Sequence, residues 1–126
     1  MNAAERFLAA SRARDIENAV AQLAPDVVLL NPSSDDPVVG RDRVAGTLRA
    51  VESACDGFMH THLLAEVGTS EPLLFGLVFE AKIGDQTLGG IDLVQLDELD
   101  RIARFSVMTR PATALMALGA RMAGHS

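Results

Sequence analysis

Up to residue 55 the hydrophobic positions recur at helical intervals, interrupted by one short apolar run; from residue 57 they alternate, and near the end the helical interval returns. Ala4, Phe7, Leu8 and Ser11 share one helical face. Ile16, Ala19, Val20 and Leu23 repeat at i, i+3, i+4 and i+7, so two short helices are predicted in succession. Asp15 stands where a helix N-cap is wanted, and Ala24-Pro25-Asp26 ends the second helix before Val27-Val28-Leu29-Leu30, which reads as a short strand. Asn31 to Gly40, rich in Pro, Ser and Asp, predicts a loop. Val44, Leu48, Val51 and Cys55 then predict a third helix through about Ala54. The alternating segments 58–68, 73–83, 86–96 and 102–109 are joined by short stretches of turn-forming composition, which predicts a meander of neighbouring antiparallel strands. Pro111 opens a last helical stretch in which Leu115, Leu118 and Met122 share a face.

Helices followed by a run of strands predict an α+β fold, with a curved antiparallel sheet of four to five strands wrapped around the N-terminal helices in one domain spanning 1–126. Segment 73–83 carries Leu73, Phe75, Leu77, Phe79 and Ala81 on one face and Leu74, Gly76, Val78, Glu80 and Lys82 on the other. One face can meet the helices. The other holds more apolar surface than free solvent favours, which predicts a homodimer through the outer face of the sheet.

The net charge of −6 repels phosphate backbones and anionic lipid surfaces, so nucleic acid and membrane are excluded as expected partners, and a neutral or cationic small molecule fits better. Cys55 is the one cysteine, and the charged N-terminal stretch lacks the apolar block of a secretion signal; a cytoplasmic location is the expectation. Tyr and Trp are absent, which removes phenolic acids from the available chemistry.

The stretch Gly90-Ile91-Asp92 through Arg101-Ile102 resembles the P/G-I-D-x-x-x-F/L-x-x-x-G-[KR]-[IV] hairpin of the ketosteroid isomerase and SnoaL-like cyclase group within the nuclear transport factor two-like superfamily, with Asp100 where the turn glycine usually stands. Ala21 through Pro32, followed by Asp36-Pro37 and Gly40, is similar to that group's A-L-F-A-D-D-A-T-V-x-D-P segment and its downstream loop. The order of elements agrees along most of the chain, and residues 55–72 match poorly. The resemblance implies a cone-shaped fold with an apolar pocket.

In the isomerases a tyrosine and a protonated aspartic acid donate hydrogen bonds to the substrate oxygen, while a second aspartate moves the proton. Asp92 matches the oxyanion-hole acid, but Phe7 stands in place of the tyrosine and Asn31 in place of the base. A phenyl ring donates no such bond and a carboxamide is no base near neutral pH, so steroid isomerisation by that route does not carry over. What remains is Asp92 and Asn31 within walls expected from Phe7, Phe75, Leu77, Phe79, Phe105, Val107 and Thr109. A lone acid there resists ionising and becomes a neutral donor or a general acid.

His60 and His62, two apart on a strand, should point the same way; either is a candidate replacement base, and no neighbouring residues complete a metal site. Neither a metal nor a cofactor is expected. SnoaL-like cyclases place their acid–base aspartate on the last strand, where this chain has Phe105, Val107 and Thr109, and limonene epoxide hydrolases need an Arg-x-Asp pair where Phe75-Gly76-Leu77 stands. The Met-rich C-terminal helix either closes the cone or packs on a partner subunit. Three functional hypotheses follow: an isomerase, cyclase, lyase or hydratase acting on a terpenoid, polyketide or steroid-sized molecule; a non-catalytic carrier of the same kind of ligand; or a dimerisation module whose cavity is filled by side chains.

Overall fold

The computed structural model describes residues 1–124. Its elements are α1 (Ala3–Arg12), α2 (Ile16–Ala21), β1 (Leu23–Leu30), β2 (Val38–Val39), α3 (Arg41–Ala54), β3 (Gly57–Ala65), β4 (Leu74–Ile83), β5 (Gln86–Leu96), β6 (Ile102–Arg110) and α4 (Ala112–Gly124). Local chemistry sets several boundaries. Asn2 and Glu5 form a reciprocal capping box at the start of α1, satisfying two free N–H groups. Asp15 caps α2 by accepting from the Asn18 N–H at 3.2 Å. Helix α2 stops at Ala21, so Leu23, which fits the helical repeat, instead begins β1.

The six strands form one curved sheet in the order β2-β1-β6-β5-β4-β3. The expected meander β3 to β6 is antiparallel throughout. Strand β1, however, runs parallel to β6, which makes the sheet mixed, and Val38–Val39 adds a short edge strand inside the expected loop. The register of β1 on β6 slips between Leu23 and Val28, over the Ala24-Pro25-Asp26 segment, where Pro25 has no N–H to give the ladder.

Alternation sorts the meander into two faces. Phe75, Leu77, Phe79 and Ala81 of β4 and Leu88, Asp92, Val94 and Leu96 of β5 are buried inward. Glu80 and Lys82 lie outward and exposed. Two apolar clusters follow. One joins α1, β1 and the lower halves of β4 to β6 through Phe7, Leu23, Leu29, Phe75, Leu77 and Phe105. The other joins α3 and α4 to the upper half of the sheet through Phe79, Ile83, Leu88, Ala114 and Leu118.

The turn at Asp100 shows how a side chain can replace the usual glycine. Asp100 sits at φ 59, in the left-handed region, where a short polar residue is tolerated best after glycine. Its carboxylate accepts from the Ala3 N–H at 2.9 Å and from the Arg6 guanidinium at 2.7 Å, which ties the β5–β6 turn to the start of α1.

Candidate functional site

Between the helices and the inner face of the sheet lies a cavity of about 440 Å³. Phe7 and Ser11 of α1, Leu48 and Val51 of α3, and Phe58, Phe79, Leu88, Phe105, Val107 and Thr109 of the sheet line it. Leu115, Leu118 and Met122 of α4 line it as well. This volume lies in the range of small-molecule sites and is not filled by side chains, which argues against a domain built for association alone.

Asp92 points into this space from β5 and is 4% exposed. Its Oδ2 lies 2.7 Å from Nε2 of His60, which reaches across from β3 and is 3% exposed. The other imidazole nitrogen, Nδ1, lies 2.7 Å from the Ser11 hydroxyl. Both ring nitrogens are therefore committed, whereas Asp92 Oδ1 makes no hydrogen bond to another described residue and is not among the fully enclosed unpartnered atoms. Burial pushes the Asp92 carboxyl above the usual carboxylate range, and the hydrogen bond and charge of His60 only partly oppose it. Asp92 is thus an acid whose charged form burial disfavours, and it is a paired rather than a lone one.

The imidazole sits in an aromatic cage. Phe7, Phe58 and Phe79 approach it edge-on at centroid distances of 6.0, 5.0 and 6.0 Å, and Phe58 stacks on Phe79. Gly90 makes room for this. A Cβ there would press on the Phe79 ring and the Met108 carbonyl closer than van der Waals contact permits.

The backbone around His60 is held from α1. Arg12 donates through Nε to the His60 carbonyl at 3.1 Å and through a terminal nitrogen to the Thr61 carbonyl at 2.8 Å. These carbonyls mark an irregularity: His60 pairs with Phe79 and His62 with Val78, leaving Thr61 as the extra residue of a β-bulge. The bulge reverses the alternation, so the expectation that His60 and His62 share a face is corrected. His62 lies exposed on the outer face, away from the cavity, and bonds the Thr61 hydroxyl.

Among the other expected site residues, Phe7, Asn31, Phe79, Phe105, Val107 and Thr109 line the cavity, whereas Phe75 and Leu77 do not. Those two face inward but lie at the closed end of the cone, where side chains of α1 and β1 fill the space. The Asn31 carboxamide makes no hydrogen bond to another described residue. Thr109 Oγ1 is buried and likewise without a partner, an uncommon state for an enclosed hydroxyl. Thr109 pairs with Gly90 and Asp92 with Val107, so Thr109 and Asp92 are diagonal neighbours on one face. Ser11 is the site residue that sequence reasoning passed over. Its signal was a hydroxyl within the apolar stripe of α1, a position that calls for a polar partner. Among the described residues no three His, Cys, Asp or Glu side chains are grouped to hold a metal ion, and no helix is long and apolar enough to cross a membrane.

Comparison with known proteins places this geometry in context. A steroid delta-isomerase from Pseudomonas aeruginosa superposes with a TM-score of 0.86 at 29% identity, covering 98% of this chain and 88% of its own. A bacterial protein with a cystatin-like fold from Silicibacter pomeroyi superposes with a TM-score of 0.85 at 28% identity, over 98% and 84% of the two chains. TerC, co-crystallised with polyporic acid, shares the fold at 16% identity, with a TM-score of 0.67 over 93% and 95% of the chains. No curated protein sequence matches the chain. The SnoaL-like domain model matches residues 4–105, and with the helices, sheet and cavity agreeing, the chain belongs to the SnoaL-like domain family.

Proposed function

We propose that this protein transfers protons on an apolar carbonyl-containing small molecule, with Asp92 as the catalytic acid–base and His60 as its positioning partner. The observation that carries this reading is the asymmetry of the Asp92 carboxyl: Oδ2 is held by His60 at 2.7 Å, while Oδ1 is left free beside the cavity. A proton shared between Oδ2 and Nε2 can pass to the imidazole as Oδ1 accepts one from carbon, so no isolated charge develops in the apolar site. Thr109 Oγ1 and the Asn31 carboxamide are unpartnered and suited to hold the ligand's carbonyl oxygen, and Phe7, Phe79, Phe105 and Val107 supply apolar walls. The similarity to a steroid delta-isomerase over 98% of the chain supports proton transfer at carbon as the reaction type.

The test uses benzylacetone as probe, with binding followed by NMR shifts and deuterium uptake next to the carbonyl followed by mass spectrometry in deuterium oxide. Wild-type protein should accelerate uptake, and Asp92→Asn should abolish the acceleration. Binding with no uptake above the Asp92→Asn background would overturn catalysis and leave the carrier reading.

The same reading includes a homodimer through the outer sheet face. Cross-strand partners His62, Val78, Ile91 and Met108 form a largely apolar row there, and Met108 is 48% exposed. Ile91→Lys should yield a monomer by sedimentation; an unchanged sedimentation coefficient would reject this surface.

A further inference from the structure

Ser11 completes a hydrogen-bonded chain of three side chains from three elements, and all three side chains line the same cavity. Its Oγ lies 2.7 Å from Nδ1 of His60, whose Nε2 lies 2.7 Å from Asp92 Oδ2, so Ser11 Oγ and Asp92 Oδ2 are no more than about 8 Å apart, and Oδ1 belongs to the same carboxyl group. Spacing on that scale lets an acid and a base each make a contact of about 3 Å to neighbouring substrate atoms from opposite ends. A single acid–base residue does not require a second hydroxyl on the far nitrogen of its partner. Ser11 is also only partly buried and stands among the residues lining the cavity.

We propose that Ser11 is a second catalytic residue, the proton donor to an oxygen leaving group, and that the site takes apolar β-hydroxy carbonyl compounds, interconverting them with their enones by loss and addition of water. The inference rests on the proton-transfer reading of Asp92 given above. In the forward direction Asp92 Oδ1 takes the proton from the carbon next to the carbonyl. The carbon–carbon double bond forms from that electron pair as the bond to the β-hydroxyl breaks. Ser11 Oγ gives its proton to the departing oxygen, which leaves as water, and recovers one from Nδ1 of His60. The proton gained by Asp92 and the one spent by His60 balance, so the site resets by proton return through the released water. No oxidant, reductant or metal enters the balance. The imidazole makes the two halves interdependent, because it can supply Ser11 only while it holds a proton on Nδ1.

The experiment uses the aldol adduct of acetone and benzaldehyde, which is benzylacetone carrying a β-hydroxyl. Two rates are read on the full-length protein in deuterium oxide: deuterium uptake next to the carbonyl, reporting Asp92, and formation of benzylideneacetone by its ultraviolet absorbance, reporting departure of water. Wild-type protein should do both. Ser11→Ala should lower the ratio of elimination to uptake by tenfold or more, and Ser11→Thr, which restores the hydroxyl, should recover most of the ratio. Uptake without elimination in the wild type, or an unchanged ratio in Ser11→Ala, overturns the role of Ser11 while the Asp92 reading stands. Neither uptake nor elimination overturns both. Hydrogen–deuterium exchange of the backbone in each variant separates these outcomes from loss of folding.

Discussion

Replacing His60 by phenylalanine isolates the energetics of the buried pair. Phenylalanine keeps a planar aromatic ring within the cage of Phe7, Phe58 and Phe79, while the substitution removes the hydrogen bonds of the imidazole to Asp92 and to Ser11. Both partners are almost wholly buried, at 3% and 4% exposure, so solvent does not screen their interaction or replace the lost partner. Breaking such a pair from one side costs on the order of 3 kcal/mol, the low end of the usual range because Asp92 can take up a proton rather than stay charged. At this chain length that corresponds to a fall in Tm of about 12 °C. The pH dependence has a definite sign. With His60 gone, burial acts unopposed and pushes the Asp92 carboxyl further above the ordinary carboxylate range. A carboxyl raised in the folded state leaves that state holding more protons than the unfolded chain, so stability falls as pH rises through the window between the two values. The deficit of His60→Phe relative to wild type therefore grows as pH rises past the wild-type Asp92 value. Urea unfolding followed by far-ultraviolet circular dichroism is the assay, since the chain has no Trp or Tyr to report by fluorescence. The double variant His60→Phe with Asp92→Leu should return to within about 1 kcal/mol of wild type, because no unpaired buried acid is left behind and the Ser11 hydroxyl, which also loses its bond to His60, is only partly buried. A single variant as stable as wild type, or a double variant no better than the single, would refute a buried, interdependent pair.

Two other perturbations test the supports of the site. Gly90→Ala should cost about 1–3 kcal/mol and shift the Phe79 ring resonances, because its Cβ has no room beside that ring; an unchanged melting curve would count against the close approach. Arg121→Ala should raise backbone hydrogen exchange across α4, since Arg121 ties that helix to the Asp56 carboxylate at 2.9 Å and to the Ala54 carbonyl at 3.1 Å. In the wild type the Arg121 hydrogen bond holds the Asp56 carboxyl below its ordinary value, so this tether is present at neutral pH and is lost as pH falls through that lowered value. Equal exchange across α4 in wild type and variant would show that other contacts hold the helix.

The order of elements was legible because periodicity reports burial directly: β5 spans 86–96 as its alternation requires, and the same alternation turns Asp92 inward with Leu88 and Val94. What pattern could not show was pairing between distant segments. The parallel contact of β1 with β6 leaves no mark on either strand's hydrophobic repeat. Phe75 and Leu77 face inward as the alternation requires, but whether an inward position meets a cavity or a packed core depends on which helix lies above it. The Thr61 bulge was equally hidden, because a one-residue insertion exchanges the faces of all that follows without altering composition, and it separates His60 from His62. The His60–Asp92 pair joins β3 to β5 across the intervening β4, a contact between residues 32 positions apart for which the sequence offers no local spacing rule.

The most direct measurement is a carbon-13 NMR titration of the Asp92 carboxyl in the full-length protein, assigned by comparison with Asp92→Asn. The inflection is expected above the model-peptide aspartate value of about 3.9, because burial disfavours the charged carboxyl. An inflection at or below that value would contradict the placement of Asp92 as a buried acid facing the cavity.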